Sequence, residues 1–211
     1  MHHNQSWFIH RLTGWLLAGA VLLGLMSAVA QAQTVMRVRG TITGFDGHVL
    51  AVRTRDGNDL NINVSEGTSV SNLIELQMDD IKQGRFVGVT AIKRGNDGAQ
   101  YALEVHIFPE ASRGSGEGHR DWDLEPGSTM TNANIDAIVE LNDGKELTLS
   151  YKGGMQKIIV PPDAPIVSFV PSDKSLLNTG IQVFTVVQQA DDGTLTAQRI
   201  LVGKDGMKPP M

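Results

Sequence analysis

Residues 37–54 read RVRGTITGFDGHVLAVRT and set the pattern for most of the chain. Apolar and polar residues mostly alternate on both sides of Asp46-Gly47, which is typical of two β-strands joined by a tight hairpin. Glycine takes the positive φ of such a turn without steric cost. Turn signals then follow about every eight to twelve residues, with no competing helical period. The sequence therefore predicts an all-β fold.

The same layout occurs twice along the chain. In the first half we predict strands and one helical turn at residues 37–45, 48–54, 59–64, 68–71, 78–83 (the turn), 85–93 and 100–108. Its turn signals have counterparts in the second half: Asp46-Gly47 in Asp143-Gly144, Asp56-Gly57 in Gly153-Gly154, Gly84 in Gly180 and Asp97-Gly98 in Asp192-Gly193. The offset is nearly constant, which indicates duplication of one unit of about 75 residues rather than a solenoid of many short repeats.

Each repeat has five or six short strands, and a small closed sheet of that size leaves no exposed edge. We therefore predict two tandem small OB-like β-barrels of five to six strands, one per repeat. The predicted divisions are a first domain at 33–108, a linker at 109–130, a second domain at 131–203 and a tail at 204–211.

The first 32 residues are predicted to be a signal peptide. A polar start containing Arg11 is followed by an apolar run from Trp15 to Met26, and two A-x-A cleavage sites end at Ala30 and Ala32. This pattern is typical of export signals, and the run is short for a membrane span of about 20 residues. No second apolar stretch follows, so we expect no membrane span after cleavage.

Charge and cysteine content exclude several classes of function. The chain has a net charge of −5 and no cysteine. An acidic chain without a basic stripe does not suit nucleic acid, whose phosphates bind clustered lysine and arginine. Absence of cysteine excludes disulfides, thiolate metal sites and a cysteine nucleophile. Export and an acidic, disulfide-free composition together predict a periplasmic protein.

The end of each repeat shows where the two copies differ in chemistry. Residues 102–107, Ala-Leu-Glu-Val-His-Ile, align with residues 197–202, Ala-Gln-Arg-Ile-Leu-Val. The apolar positions are kept, which predicts a core face in both copies. Glu104 and His106 share the other face and are replaced by Arg199 and Leu201. Because the fold alone does not require this difference, Glu104 and His106 are candidate functional residues.

Further polar residues follow in the linker within about twenty positions. Imidazole and carboxylate groups together suit zinc, copper, nickel or iron, and carboxylates alone suit calcium or manganese. No HExxH or comparable ligand spacing is present. The leading hypothesis is a non-enzymatic binding protein whose possible cofactor is a divalent metal ion, with ligands drawn from His106, His119, Glu110, Glu117, Asp121 and Asp123.

Three alternatives remain open at this point. The same surface, with Glu104, Trp122 and Arg120, could dock an envelope protein without metal. A hydrolase acting on envelope material is a further alternative, although no nucleophile motif is recognisable. The linker could also be a solvated tether with Trp122 packed against a barrel. The ligand, the protein partner and the oligomeric state are not predicted.

Several blocks resemble an uncharacterised group of exported proteobacterial proteins built from tandem small OB-like β domains. The resemblance covers most of residues 37–211 and is carried by His106-Ile107-Phe108-Pro109-Glu110, by residues 116–124 and 130–133, and by Val160-Pro161-Pro162-Asp163-Ala164-Pro165. It implies the tandem OB-like fold and no established activity. Similar sequences are sometimes described as metal-transport permeases, which favours the metal hypothesis, although a permease needs several membrane spans.

Overall fold

Thirteen β-strands and three single turns of 3-10 helix make up the part of the chain described by the computed structural model, which comprises residues 34–95, 98–203 and 206–209. The all-β class is confirmed. The predicted signal peptide, Asp97 of one predicted turn and much of the predicted tail lie outside the described residues. None of the described helical segments has the length and apolar character needed to cross a membrane.

The first repeat contains six strands: β1 (Thr34–Phe45), β2 (Val49–Thr54), β3 (Asp59–Asn63), β4 (Ser69–Leu76), β5 (Phe86–Arg94) and β6 (Ala99–Ile107). The linker contains β7 (Gly118–Asp121). The second repeat contains β8 (Thr129–Leu141), β9 (Gly144–Tyr151), β10 (Gly154–Val160), β11 (Ile166–Ser172), β12 (Gln182–Gln189) and β13 (Leu195–Gly203). The 3-10 turns are Met78–Asp80, Glu110–Ser112 and Lys174–Leu176.

The predicted duplication is visible in the order of the elements. β8 begins 95 residues after β1, at Thr129 against Thr34, and β13 begins 96 residues after β6, at Leu195 against Ala99. The turns Met78–Asp80 and Lys174–Leu176 also correspond. Among the described elements, β7 and the turn Glu110–Ser112 have no counterpart. Both fall in the linker, which is therefore a folded insertion between the repeats.

The strands of the two repeats are interleaved in one mixed sheet. Its order is β10-β9-β8-β5-β6-β11-β4-β13-β12-β1-β2-β3, and β7 pairs with β8. Two parallel pairings join distant members of this path, β3 with β13 and β6 with β10. As a result β1, β2, β3, β13 and β12 pair in one ring, and β8, β9, β10, β6 and β5 pair in another. Each ring takes three strands from one repeat and two from the other.

The prediction of two tandem OB-like barrels, one for each repeat, is not confirmed, because the described strands form one thirteen-stranded mixed sheet. Alternation of apolar and polar residues determines which face of a strand is buried, but not which strand lies beside it. Since the repeats have matching strands, a strand from either copy satisfies the same local pattern. The division at 33–108 and 131–203 remains a sequence prediction.

The hydrophobic cores follow the rings rather than the repeats. One core joins Ile42 and Leu50 of the first repeat to Val183 and Ile200 of the second. The other joins residues of β5 and β6 to residues of β8, β9 and β10, all buried: Val87, Val89, Val105, Ile107, Ile135, Leu147, Leu149 and Ile158. Burying such aliphatic side chains contributes about 1.5–3 kcal/mol each. Most of the stabilisation therefore requires both repeats.

Strands β4 and β11 form the junction between the rings. They pair antiparallel with each other, while β4 also pairs parallel with β13 and β11 pairs parallel with β6. A third apolar cluster, Leu73, Val167, Phe184 and Leu201, lies here, with Trp122 and Phe169 packed against it. The junction therefore brings the ends of both repeats, β6 and β13, close to one central strand pair.

Because each ring needs strands from both repeats, we predict that residues 33–126 and residues 127–211, produced separately, each remain unfolded. Mixing them is expected to restore the sheet and a cooperative unfolding transition, measured by far-ultraviolet circular dichroism against urea. Near-ultraviolet circular dichroism of Trp122 supplies a second readout of packing. Cooperative unfolding of either fragment by itself would contradict the interleaved fold and favour tandem independent domains.

Candidate functional site

A cavity of about 380 Å³ lies between the central strands and the linker. It is lined by residues of β4, β6, β8, β11 and β13 and by the linker, namely Ser69, Ser71, His106, Phe108, Pro109, Ala111, Ser112, Ser115, Gly116, Arg120, Trp122, Met130, Asn132, Phe169, Pro171, Arg199 and Leu201. Its volume is in the range of small-molecule sites, about 300–1,000 Å³. The lining combines aromatic and aliphatic surface with a few polar groups.

The strand registers explain why these residues share one surface. A row of paired residues crosses five neighbouring strands. Arg39 of β1 pairs with Phe184 of β12, which pairs with Leu201 of β13. Leu201 pairs with Ser71 of β4, which pairs with Pro171 of β11. Because side chains alternate between the two faces of a strand, residues in register share a face. This face therefore continues from β1 to the central pair.

The other half of the same face belongs to the second ring. Val167 of β11 is in register with His106, and the line continues through Gly88 and Asn132 to Gly118 of β7. Val167 and Pro171 lie on the same face of β11 because they are four residues apart. The two rows of paired residues meet on β11, and residues from both of them line the cavity.

The linker bridges the two halves by contacts to β1. Arg39 Nη2 donates a hydrogen bond to Asp123 Oδ1 at 2.7 Å, and Arg37 Nη1 lies 3.5 Å from Asp123 Oδ2. The Arg37 guanidinium also lies over the Trp122 ring, 4.0 Å from its centroid. Partial burial acts to raise the pKa of Asp123, but the Arg39 hydrogen bond and the charges of Arg39 and Arg37 outweigh it, so this pKa is lowered.

Other linker residues are fixed by hydrogen bonds to the sheet. Arg113 donates to the Gly84 carbonyl oxygen at 2.9 Å and to the Glu110 carboxylate at 2.8 Å. The Asn132 amide nitrogen donates to the Ser115 carbonyl oxygen at 3.0 Å. The linker is therefore ordered against the sheet, unlike the solvated tether among the sequence-level alternatives.

Glu104 and His106, the pair selected by comparison of the repeats, form a buried polar unit on β6. Glu104 is completely buried, and its Oε1 accepts a hydrogen bond from Thr90 Oγ1 at 2.9 Å. His106 is 3% exposed, and its Nδ1 lies 3.2 Å from the same Glu104 oxygen. Because Nδ1 faces the carboxylate, Nε2 is the ring nitrogen left for other partners, and His106 itself lines the cavity.

The His106 ring lies directly above Gly88, where no side chain stands. A Cβ added at Gly88 would lie 2.0 Å from His106 Nε2 and 2.7 Å from Asn132 Oδ1. Glycine is therefore needed at position 88 for the imidazole and the amide oxygen to occupy this space. The same geometry brings Nε2 and Oδ1 close together at the cavity wall.

Three buried polar atoms at or behind this wall have no hydrogen-bond partner in the described structure: Glu104 Oε2, Asn132 Oδ1 and Trp122 Nε1. A buried polar group without a partner costs about 1–3 kcal/mol, so such groups are rare unless a ligand or water satisfies them. Asn132 Oδ1 can accept a hydrogen bond and Trp122 Nε1 can donate one. Both residues line the cavity.

Two arginines give the cavity positive charge. Arg120 Nη1 donates to the Gly116 carbonyl oxygen at 2.8 Å, and Arg199 packs over the Phe184 ring at 5.9 Å. The Arg199 side chain is open to the cavity, yet surrounding protein atoms together with the Arg120 and Arg37 charges lower its pKa. Burial and the charge of Arg37 likewise lower the pKa of Arg120.

The six predicted metal ligands are not brought together. His106 is in register with Gly118, the neighbour of His119, so the two imidazoles lie on opposite faces of the sheet. His119 Nδ1 instead lies 2.8 Å from Thr131 Oγ1, and the ring stacks on Tyr151. In the described ranges no group of three or more histidine and acidic side chains is positioned to hold a metal ion.

The four predicted carboxylate ligands have separate surroundings. Glu110 pairs with Arg113, whose hydrogen bond lowers the pKa of that carboxyl. Glu117 accepts a hydrogen bond from the Lys152 backbone nitrogen at 2.9 Å, and Asp121 is exposed at the end of β7. Asp123 binds Arg39. Of the three predicted interaction residues, Trp122 and Arg120 line the cavity, and Glu104 lies behind His106.

Several residues of the cavity were not among the sequence candidates. Arg199 and Leu201 appeared in the sequence only as the second-repeat counterparts of Glu104 and His106. In the fold, His106 of β6 and Arg199 and Leu201 of β13 line the same cavity, because β6 and β13 flank the central pair β4 and β11. Phe169 carried no sequence signal, and Met130 and Asn132 entered only as part of the resemblance block at 130–133, since apolar and amide side chains on strands are ordinary.

We predict that Gly88→Ala destabilises the protein by about 1–3 kcal/mol, the usual cost of forcing an extra methyl group into packed surroundings. The new Cβ would displace His106 and Asn132 from the cavity wall. Gly44→Ala is the matched control, because a Cβ there meets no atom within 4 Å. Urea unfolding measures both variants; equal stability of the two would contradict the packing of His106 on Gly88.

Burial lowers the pKa of His119 below 6.5, with Asp121 opposing this and Lys93 and Arg120 adding to it. At pH values between the lowered pKa of folded His119 and its unfolded value of 6.5, the unfolded chain binds more protons than the folded one. The free energy of unfolding therefore falls as pH decreases through 6.5. We predict that the stability lost between about pH 7.5 and about pH 5.5 is smaller in His119→Gln than in the parent protein. Nuclear magnetic resonance of the imidazole protons checks the cause directly: titration of His119 at or above 6.5 would contradict it.

Comparisons of the chain with protein-family models, with curated proteins and with solved structures gave no match. Function is therefore argued from the cavity and its surroundings.

Proposed function

We propose that the protein is a non-enzymatic binding protein, exported to the periplasm, and that the cavity beside His106 holds a small organic molecule. In this proposal the two rings are OB-like units that exchange strands between the repeats. The ligand site lies at their junction, under the folded linker. This retains the binding function predicted from the sequence and moves its site from a metal cluster to a cavity.

The observation that carries the proposal is the pair of unsatisfied groups, Asn132 Oδ1 and Trp122 Nε1, at one cavity with largely apolar walls. Small-molecule sites typically combine apolar surface with a few polar groups that fix the ligand's orientation. Both atoms are enclosed, so a ligand reaches them only if the side chains turn toward the cavity; a molecule that then donates to Asn132 and accepts from Trp122 would remove the cost of burying both groups. An ordinary core would place apolar side chains at these positions.

The concave shape favours a small molecule over a protein surface as the principal occupant. Phe108, Phe169 and Met130 stand in the wall of a recess rather than on a flat exposed patch. Phe108 and Phe169 pack edge to face, with ring centroids 5.4 Å apart. Rigid aromatic contacts of this kind give a ligand a preformed apolar surface.

The Glu104 and His106 pair resembles the base and its orienting carboxylate in a hydrolase, but a nucleophile is also required. In the part of the chain that the structure describes, the imidazole hydrogen-bonds with Glu104, and no serine or threonine hydroxyl hydrogen-bonds with it. The pair therefore supports a role as a fixed hydrogen-bonding group of a binding site.

The test uses residues 33–211, in which Trp122 is the one tryptophan. We predict saturable binding of one equivalent of the neutral fluorophore N-phenyl-1-naphthylamine, detected by energy transfer from Trp122. Ser71→Phe fills the cavity and is expected to weaken binding at least about tenfold, through loss of the apolar surface that the probe would bury.

Val139→Phe is the matched control, because Val139 is exposed and does not line the cavity. Thermal unfolding of both variants checks that they are folded. Binding that is unaffected by Ser71→Phe in the folded variant would place the probe elsewhere and remove support for the site.

A further inference from the structure

We infer that the molecule bound in the cavity is a small organic anion with an apolar body, whose anionic group is held by Arg120 and Arg199. This inference rests on the proposed function, because it names the chemical class of the ligand for the same cavity. The shared chemistry of its head group is that of a carboxylate, phosphate or sulfonate.

Among the described residues, the positive charge at the cavity is not compensated. Within the described residues, no carboxylate oxygen lies within 4 Å of a charged nitrogen of Arg120 or Arg199, whereas the nearby Arg37 and Arg39 both contact Asp123. Glu104 is the buried acid nearest to His106 on β6, but it does not line the cavity. An anion in the cavity would supply the missing opposite charge.

The arginines raise one another's electrostatic energy. Surrounding protein atoms make the largest contribution to lowering the pKa of Arg199, and the charges of Arg120 and Arg37 lower it further. Clustered cations repel each other even where, as here, the side chains are partly open to solvent. Such a cluster is expected where an anion normally binds, because the anion turns the repulsion into attraction.

The geometry of the arginine donors suits an oxyanion. A guanidinium presents a planar fork of N–H groups that matches the oxygens of carboxylate and phosphate. Arg120 uses Nη1 to donate to the Gly116 carbonyl oxygen, which orients the group and leaves its other donors available in the cavity. Trp122 Nε1, which has no partner among the described residues, would be a further N–H donor to an anionic oxygen if the enclosed indole turns toward the cavity.

The apolar walls of the cavity suit a ligand with an apolar body. The cavity is larger than a bare anion needs, and Phe108, Phe169, Met130 and Leu201 line the rest of it. An apolar body would contact the faces that these mostly buried side chains present to the cavity, while Asn132 Oδ1, if its side chain turns toward the cavity, would accept a hydrogen bond from a hydroxyl or amine of the ligand. Inorganic phosphate or a simple carboxylate ion would leave the apolar walls without contact.

The repeat comparison explains how the site acquires its polarity. Equivalent positions on β6 and β13 carry Glu104 and His106 in one copy, and Arg199 and Leu201 in the other. The fold places both strands beside the central pair, so the cavity has a cationic side from the second repeat. A symmetric duplicate would have like residues on both sides and could not orient a ligand with one charged end.

The experiment compares three probes of one shape on residues 33–211 by isothermal titration calorimetry: 2-naphthoate, 2-naphthamide and 2-naphthylmethylammonium. We expect 2-naphthoate to bind at least about tenfold more tightly than 2-naphthamide, the effect of one charge-assisted hydrogen-bonded group. The ammonium probe should bind most weakly. Added salt should reduce the preference for the anion.

Variants then assign the preference to residues. Arg199→Gln and Arg120→Gln should bring the ratio of naphthoate to naphthamide affinity close to one, and Arg199→Lys should restore part of it. Arg53→Gln is the control, because Arg53 is exposed, pairs with Asp59 and does not line the cavity. A further arm with 1-naphthyl phosphate and 2-naphthalenesulfonate ranks the three kinds of anionic head group.

The outcomes separate the two proposals. Equal binding of naphthoate and naphthamide, both abolished by Ser71→Phe, would overturn the anionic class and leave the cavity as a binding site. An anion preference unchanged in Arg199→Gln and Arg120→Gln would overturn the assignment to these arginines. Absence of binding by every probe, including N-phenyl-1-naphthylamine, would overturn the proposed function and this inference together.

Discussion

The structure depends on how strand edges are satisfied by backbone hydrogen bonds. A strand with an unpaired edge leaves donors and acceptors exposed, so small β folds close on themselves or cover their edges. Here closure is achieved by the parallel pairings of β3 with β13 and of β6 with β10, each of which joins one repeat to the other. The two repeats are therefore interdependent, and the strands left between the rings, β4 and β11, pair at the centre.

This exchange positions the candidate site. Since β6 and β13 flank the central pair, the equivalent ends of both repeats lie at one junction, where a duplicate in separate domains would have held them apart. Residues that differ between the two copies therefore meet at one cavity. The buried pair Glu104 and His106 lies on its β6 side, and Arg199 and Leu201 lie on its β13 side. The inserted linker completes the cavity because Asp123 and Trp122 contact Arg39 and Arg37 of β1. Charge and burial at the site follow from these few contacts.

The metal hypothesis shows what sequence proximity leaves undecided. His106 and His119 are thirteen positions apart and both belong to a polar stretch, yet they end on opposite faces of the sheet because β7 pairs with β8 in the register of Gly118 with Asn132. The carboxylates nearby were equally plausible ligands by type. In the fold, Glu110 and Asp123 have arginine partners, and Glu117 accepts a backbone hydrogen bond. Composition marked a segment that lines the cavity, but its chemistry was set by which face each residue occupies.

The sequence by itself determined the all-β class, the duplication and most strand positions, because alternation and Asp-Gly turns are local features with a direct physical cause. It also singled out Glu104, His106 and the linker, since comparison of two copies within one chain separates what the fold requires from what it does not. Only the tertiary structure decided which strands pair, since matching repeats offer equally suitable partners. The cavity includes two arginines that contact no carboxylate among the described residues, and Gly88 lies beneath His106. It depends on contacts between residues as much as 130 positions apart, such as Ser71 and Leu201. No local pattern encodes those contacts.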